Sequence, residues 1–319
     1  MGQLIDGQWY DVWYDKAAHR GRFVRQSSQF RHWITKDGQA GPTGTDGFKA
    51  EPDRYHLIVS DACPWAHRTL ILRALKKLEV MIGVTSVHYL MAEHGWTLRP
   101  ESSSPFDMDY LHTLYTQVDP HYSGRVTVPV LWDTHRQTIV SNESADIIRM
   151  LNQSFNHLGA AAYNSVPEQW QDQIDAWNTK IYSAVNNGVY RCGFASTQSA
   201  YDEAATLLFA TLDAIDQHLA DVDFLVGFQP TEADWRLFTT LYRFDAVYVT
   251  HFKCARKRLS DYLNLWPYAR RLYQWPGVAK TCKMDQIQKH YYHSHTQLNP
   301  HQIIPDLDLS GWDAPVERV

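Results

Sequence analysis

The stretch DACPWAHR, residues 61–68, places a cysteine and a proline where a predicted strand meets a predicted helix. Before it, Tyr55, Leu57 and Val59 alternate with polar residues, as in a half-buried β-strand. After it, leucines and alanines recur at helical spacing from residue 70 to residue 78, with basic residues towards the other side. Pro64 suits the first position of a helix, where the backbone N–H that proline lacks would have no partner. The stretch therefore predicts a strand, a junction at Cys63 and a helix.

Cys63 is the candidate nucleophile. At a helix N-terminus a thiol faces unsatisfied N–H groups and the positive end of the helix dipole, which lower its pKa from about 8.5 towards or below neutrality. The alternative is a buried, inert cysteine, which the junction and the following proline make less favoured. Position 66 is Ala66, so no second thiol lies one turn away, and a disulfide at Cys63 must be resolved by another molecule. The pattern indicates monothiol chemistry.

Length and composition favour a two-domain protein of the cytoplasm. The chain has 319 residues, enough for two hydrophobic cores, and a net charge of -5, which gives no general attraction to nucleic acid or anionic membranes. Its four cysteines are too few and too widely spaced for a disulfide scaffold or a zinc ribbon, as expected in a reducing compartment. We find neither a signal-peptide pattern at the start nor an apolar run of about 18 residues, so we expect no membrane span.

Four regions follow one another along the chain. Residues 1–50 are polar and glycine-rich and predict an extended N-terminal arm with one short strand at residues 22–24. Residues 51–155 predict strand, helix, strand (84–91), a long insert with a helix (107–118), a hairpin of two strands (125–132 and 138–140) and a helix. Pro129 conflicts with a regular strand, and a cis bond beside it would leave neighbouring backbone free to pair with a ligand. Residues 165–295 predict an all-helical domain, and residues 296–319 a tail.

The sequence Ser141-Asn142-Glu143-Ser144 precedes a predicted helix over residues 145–152. Free N–H groups, hydroxyls and one carboxylate there could hold an amino-acid head group, with Glu143 facing its ammonium. The simpler interpretation is helix capping by Ser141 or Asn142, which these residues alone favour. Further on, the pattern predicts helices over residues 167–187, 198–220, 232–248, 262–275 and 278–292. Asp234 stands in the capping-box position after Thr231.

These motifs together resemble a known family. An α/β thioredoxin-like N-terminal domain with Cys-Pro at its first helix, followed by an all-α C-terminal domain, is the architecture of cytosolic glutathione transferases. One branch is resembled more closely, the xi-class enzymes or glutathionyl-hydroquinone reductases, and the resemblance covers about residues 50–305. The motifs that carry it are CPWAHR (63–68), VPVLWD (128–133), SNES (141–144), TEADWRLFTTL (231–241), RFDAVY (243–248), HFKC (251–254) and HYYHSH (290–295).

The resemblance implies roles for individual residues. It makes Cys63 the nucleophile of an oxidoreductase that uses glutathione as co-substrate and forms homodimers. The glutathione-binding positions are Trp96 and Arg125 for the glycyl end, Val128 for backbone pairing, and Glu143 with Ser144 for the γ-glutamyl end. The tyrosines of the quinol pocket correspond to Tyr190, Tyr248 and Tyr291, the last with Tyr292 as an adjoining alternative. The implied reaction reduces glutathionyl-hydroquinones to hydroquinones through a Cys63–glutathione mixed disulfide.

Other interpretations compete with this one. An omega-like thiol transferase or dehydroascorbate reductase would share the thiol but lack the quinol pocket, and a glutathione-transferase-like binding module would lack turnover. His290, His293 and His295 could suggest a metal site, but helical spacing supports only one pair and no nearby cysteine or carboxylate completes it, so we expect no metal. Cys192, Cys254 and Cys282 are expected to be structural, with Cys282 on the last predicted helix.

Overall fold

The centre of the fold is a four-stranded sheet around the predicted strand before Cys63. In this computed structural model, which describes residues 2–14, 19–98 and 105–316, the strands are β5 (Tyr55–Val59), β6 (Ile82–Ser86), β8 (Val130–Asp133) and β9 (Thr138–Ser141). Their order is β6-β5-β8-β9, with β6 parallel and β8 antiparallel to β5. The predicted hairpin is confirmed as β8 and β9, but it begins at Val130.

Strand direction brings distant segments to one end of this sheet. Strands β5, β6 and β9 run the same way, because β8 is antiparallel to both β5 and β9. Their C-terminal ends therefore lie together with the N-terminal end of β8. We call this the Cys63 end of the sheet. Three segments meet it: the junction at residues 60–63, residues 128–129 before β8, and residues 142–144 after β9.

Helices α1 (Pro64–Leu75), α2 (Leu111–Val118) and α3 (Ser144–Gln153) follow strands of this part of the chain. Helix α1 begins at Pro64 as predicted and packs against α3. Two basic residues are not exposed: Arg68, on α1, and Lys76, which caps its C-terminal end, are both about 1% exposed. Lys76 Nζ donates to Asn156 Oδ1 (2.7 Å) and to the Tyr163 carbonyl (2.8 Å), and burial lowers its pKa to about 8. Burial beside polar partners overrides the amphipathic pattern here.

The first fifty residues contain more structure than an extended arm. Strands β1 (Gln3–Ile5) and β2 (Gln8–Tyr10) form a hairpin, and β1 also pairs with β7 (Gly124–Arg125). Strands β3 (Trp33–Thr35) and β4 (Gly47–Lys49) pair in parallel. The prediction of a strand at residues 22–24 is wrong, because that segment is in neither a strand nor a helix. The parts of the predicted arm and tail at residues 1, 15–18 and 317–319 lie outside the described residues.

The second half of the chain is helical, as predicted, but the helices are interrupted. They are α4 (Gln171–Ile181), α5 (Gly188–Gly193), α6 (Gln198–His218), α7 (Glu232–Leu241), α8 (Leu265–Tyr273) and α9 (Met284–Ser294). Two π-helical turns, Tyr182–Asn186 and Phe244–Tyr248, occupy stretches predicted as α-helix, and a 3₁₀ turn, Ala279–Thr281, precedes α9. Residues 232–248 and 278–292 contain neither glycine nor proline. The sequence therefore carries no helix breaker at the second π-helical turn or at the 3₁₀ turn before α9.

The capping box at the start of α7 is confirmed. Asp234 accepts a hydrogen bond from the Thr231 N–H (2.7 Å) and also binds the Leu225 N–H and the Tyr268 hydroxyl. Burial nevertheless raises the pKa of the Asp234 carboxyl, because desolvation outweighs these hydrogen bonds. This residue is structural, as its sequence position indicates.

The chain forms two compact units. The first comprises residues 1–13, 26–163 and 281–294, and the second comprises residues 14–25, 164–280 and 295–319. The domain boundaries that we predict from the sequence differ from these units in three places: the arm is divided, α9 belongs with the sheet, and the tail belongs with the helices. Within the described ranges, no helix is long and apolar enough to cross a bilayer.

Candidate active site

Cys63 lies at the N-terminus of α1 in the first unit. It occupies the capping position with an extended backbone (φ -78°, ψ 122°), and its side chain caps no N–H of the helix. Its Sγ lies 3.6 Å from the Val128 carbonyl oxygen, and the side chain is partly exposed. The sulfur is therefore directed at the backbone that precedes β8, and it can be reached from solvent.

The backbone before β8 is available for pairing with an extended ligand. The Val128–Pro129 peptide bond is cis, as the proline in the strand pattern suggested. Val128 is outside the ladder of β8, and none of the described residues accepts a hydrogen bond from its N–H. Because an extended peptide can pair with such N–H and C=O groups as an added strand would, this position suits the cysteinyl part of a tripeptide.

Glu143 and Ser144 form the N-terminus of α3 at the same end of the sheet. Glu143 itself is the cap, with Oε1 accepting from the Ala145 N–H (3.0 Å) and Oε2 from the Ser28 hydroxyl (3.0 Å). The expectation that Ser141 or Asn142 caps this helix is wrong, because the helix begins at Ser144. Within the described part of the chain, the Ser144 N–H has no acceptor. One carboxylate and one available N–H thus lie together, which are the groups needed for an α-amino acid head group.

Tyr115, on α2, was not found by sequence reasoning, although it connects two of these segments. Its hydroxyl donates to the Thr127 carbonyl (2.9 Å) and accepts from the Thr127 N–H (3.3 Å) and from Asn142 Nδ2 (3.1 Å). The side chain is completely buried, and desolvation raises the pKa of the phenol, which stays protonated. It therefore fixes the residue before Val128 and the residue before Glu143 relative to each other.

Trp96 and Arg125 are placed differently from one another. Trp96 is 6% exposed and stacks on His290, with ring centroids 5.0 Å apart. Arg125 is in β7, and its Nη1 donates to the carbonyl oxygens of Gly2 (3.2 Å) and Val12 (2.6 Å). A carboxylate that binds Arg125 would thus share the guanidinium with the N-terminal residues.

The three predicted tyrosines are all buried, in two different units. In the helical unit, Tyr190 on α5 and Tyr248 in the second π-helical turn have ring centroids 6.1 Å apart. The guanidinium carbon of Arg25 lies 5.1 Å from the Tyr190 ring centroid, and Tyr248 stacks on Phe252 at 5.4 Å. Tyr291, on α9 in the first unit, is 2% exposed.

The histidines of the HYYHSH motif have separate surroundings. His290 Nδ1 lies 2.7 Å from the Tyr89 carbonyl oxygen in the first unit, whereas His295 Nδ1 lies 3.1 Å from His251 Nε2 in the second. Among the described residues, no three histidine, cysteine or acidic side chains converge as metal ligands would.

Known proteins resemble this chain along its whole length. The family model described as "Glutathione S-transferase, N-terminal domain" matches residues 62–154, and the corresponding C-terminal domain model matches residues 198–271. Glutathionyl-hydroquinone reductase YqjG of Escherichia coli is 56% identical, over 100% of this chain and 98% of that protein. Glutathionyl-hydroquinone reductase PcpF of Sphingobium chlorophenolicum is 48% identical over 96% of each chain.

Solved structures agree with these matches. The glutathione-bound structure of YqjG has a TM-score of 0.89 and covers 99% of each chain. The Xi-class glutathione transferase of Natrialba magadii, 45% identical, has a TM-score of 0.90 and covers 100% of this chain and 97% of its own.

Proposed function

The chain belongs to the Xi class of glutathione transferases, the glutathionyl-hydroquinone reductases, and we propose that it reduces glutathionyl-hydroquinones with glutathione through a mixed disulfide at Cys63. The observation that carries this proposal is the position of the sulfur, at a helix N-terminus and 3.6 Å from the Val128 carbonyl. Glutathione is the co-substrate, and the functional protein is a homodimer.

Binding of glutathione follows from the groups at the Cys63 end of the sheet. The cysteinyl part pairs with the Val128 backbone, which directs its sulfur towards Cys63. The γ-glutamyl ammonium binds Glu143, and its carboxylate binds the Ser144 N–H and hydroxyl. Arg125 and Trp96 bind the glycyl end, with Arg125 exchanging a carbonyl contact for the carboxylate. These assignments give each charged end of the tripeptide a partner of opposite sign or a hydrogen-bond donor.

The reaction has two steps: cleavage of the bond between the glutathione sulfur and the ring carbon, and then a thiol–disulfide exchange. The Cys63 thiolate, stabilised by the helix N-terminus, attacks the sulfur of the glutathionyl-hydroquinone, forms a mixed disulfide with glutathione and releases the quinol. An aryl carbanion is a poor leaving group, so the ring reacts as its keto tautomer and charge develops on oxygen. The phenols of Tyr190, Tyr248 and Tyr291 stabilise that oxygen and transfer its proton. A second glutathione then attacks the mixed disulfide, which gives oxidised glutathione and free Cys63.

Steady-state kinetics with glutathionyl-menadiol test this function. The wild-type enzyme should release menadiol and oxidised glutathione in equal amounts, with the parallel-line pattern of a ping-pong reaction. Cys63→Ser should lose turnover, while Cys282→Ser, which changes another exposed thiol, should retain it. Without added glutathione, peptide mapping should find the glutathionyl group on Cys63. A Cys63→Ser enzyme that keeps most of its rate, or a wild-type enzyme that prefers dehydroascorbate, would contradict the proposal. Sedimentation velocity tests the homodimer.

A further inference from the structure

A second thiol in the first unit has the environment of a reactive group. Cys282 lies between the 3₁₀ turn Ala279–Thr281 and the start of α9 at Met284, not on a helix as the sequence predicted. It is partly exposed, and its Sγ is 3.7 Å from His67 Nε2. Thr281 Oγ1 lies 2.9 Å from the same nitrogen. No step of the proposed reaction uses this pair.

We propose that Cys282 is a site of S-glutathionylation, with His67 as the base that takes up its proton. The disulfide that reacts is oxidised glutathione. The inference rests on the proposed function only for the source of oxidised glutathione within the cell, because oxidised glutathione is the product of that reaction.

The position of His67 supports a base. Its side chain is about 1% exposed. The residue lies on α1, where its backbone N–H donates to the Cys63 carbonyl (2.9 Å). The imidazole is therefore held by a regular helix while one ring nitrogen faces the thiol. When Nε2 has taken the proton, the resulting N–H can donate to both the Cys282 thiolate and the Thr281 oxygen, which lie around the same atom. The ion pair has no net charge, which limits the cost of forming it beside a buried ring.

The other cysteines outside the reaction lack this arrangement. Cys192 is 2% exposed and Cys254 is 0% exposed, and burial together with the neighbouring Cys192 raises the pKa of the Cys254 thiol. Neither can meet a tripeptide disulfide from solvent. Cys282, in contrast, is next to the exposed Lys283, whose charge favours a thiolate and attracts anionic oxidised glutathione. Exposure, a base and a neighbouring cation coincide at Cys282.

The chemistry is a single thiol–disulfide exchange. His67 takes the proton of Cys282, and the thiolate sulfur attacks one sulfur of oxidised glutathione. A Cys282–glutathione disulfide forms while the disulfide bond of the reagent breaks, and one glutathione leaves as a thiolate that receives the proton. The cysteine is oxidised and half of the reagent is reduced, so the step needs no other reactant. Only a small thiolate fraction is required, because intrinsic nucleophilicity rises with thiol pKa.

The test uses the full-length Cys63→Ser protein, so that the adduct cannot come from the catalytic thiol. Incubation with oxidised glutathione, acid quenching and intact mass measurement should show one glutathionyl group, and peptide mapping should place it on Cys282. The Cys63→Ser/Cys282→Ser protein should remain unmodified. Adding His67→Gln should slow adduct formation at least about tenfold. An adduct on Cys192 or Cys254 instead, or an unchanged rate with His67→Gln, would refute the proposal.

A second measurement guards against loss of folding in the His67 variant. In the Cys63→Ser protein, alkylation of Cys282 by iodoacetamide should continue to pH values well below the ordinary thiol pKa of about 8.5. A rate that follows one titration near 8.5 would refute the role of His67. Because both measurements supply the reagent directly and omit Cys63, they are independent of whether the protein reduces quinols.

Discussion

Replacing Glu143 separates its two roles, because the residue both caps α3 and is proposed to bind the ammonium of glutathione. Glu143→Gln keeps an oxygen that can accept from the Ala145 N–H, and its amide can donate to the Ser28 hydroxyl, so both contacts have substitutes. The negative charge is lost. We expect the free energy of unfolding to change by less than about 1 kcal/mol, because the cap persists.

The expected loss in binding is larger. A hydrogen bond to a charged group contributes about 1.5–3 kcal/mol. At 1.4 kcal/mol for each factor of ten, Glu143→Gln should raise the KM for glutathione by about 10- to 100-fold. Glu143→Ala should show the same loss of binding and also a destabilisation of about 2 kcal/mol, since it loses the cap and the contact with Ser28.

The assay combines steady-state KM, glutathione titration by calorimetry and urea unfolding of the same preparations. Asp146→Asn is the matched control, since it removes the other carboxylate in the first turn of α3, which pairs with Arg31 at 2.7 Å. It should alter stability and leave the KM within about twofold, since that carboxylate is engaged elsewhere. A Glu143→Gln enzyme with the wild-type KM would refute the reasoning. So would an equal rise in Asp146→Asn, because charge alone would then explain both.

Four other substitutions test the site, its support and the pH-dependent stability of the fold. Tyr115→Phe removes a buried hydroxyl that makes three hydrogen bonds. We expect the free energy of unfolding in urea to fall by about 1–3 kcal/mol and the KM for glutathione to rise several-fold. Unchanged values of both would contradict the positioning role of Tyr115. Tyr190→Phe and Tyr248→Phe should lower kcat for quinol release but not the rate of simple disulfide exchange at the catalytic thiol, and equal losses in both assays would exclude proton transfer. His56 is hydrogen-bonded to Thr85 at 2.8 Å, and burial lowers its pKa to about 4. In the unfolded chain His56 therefore takes up a proton as the pH falls through 6.5, whereas in the folded chain it does so only near pH 4. Stability should therefore fall through this window by on the order of 2 kcal/mol after allowance for solvent screening, and His56→Gln should flatten the fall in urea unfolding measured across it.

The parts of the site that could be predicted from the sequence are those set by local rules. A proline at the first helical position marked the start of α1 and hence the place of Cys63. Pro129 within an apolar strand pattern indicated a cis bond and backbone outside the ladder, and the structure has both. Each of these signals depends on residues within a few positions of the feature, so one sequence is sufficient.

The parts that could not be predicted depend on contacts between distant segments. Tyr115 reads as an ordinary core aromatic on a helix, and its role arises only from contacts with residues 12 and 27 positions further along. The basic residues on and just after α1 fit an amphipathic pattern, yet Lys76 is buried, because the Asn156 side chain and the Tyr163 carbonyl accept hydrogen bonds from its ammonium group. Cys282 falls within the helix that the pattern predicts over residues 278–292, and nothing near it in the chain indicates its contact with His67, 215 positions away.

The order of the strands explains how the proposed glutathione site can form here with few side chains. Antiparallel β8 begins where β5 and β9 end, so Val128, two residues before β8, faces the junction that carries Cys63. Helix starts and strand ends leave backbone groups without intrachain partners, and among the described residues the N–H groups of Val128 and Ser144 are of this kind. In the proposed mechanism, Cys63 supplies the reactive thiol and Glu143 supplies the negative charge. Replacing Cys63 should therefore abolish the reaction while glutathione still binds, whereas loosening the backbone through Tyr115 should weaken binding with the nucleophile intact.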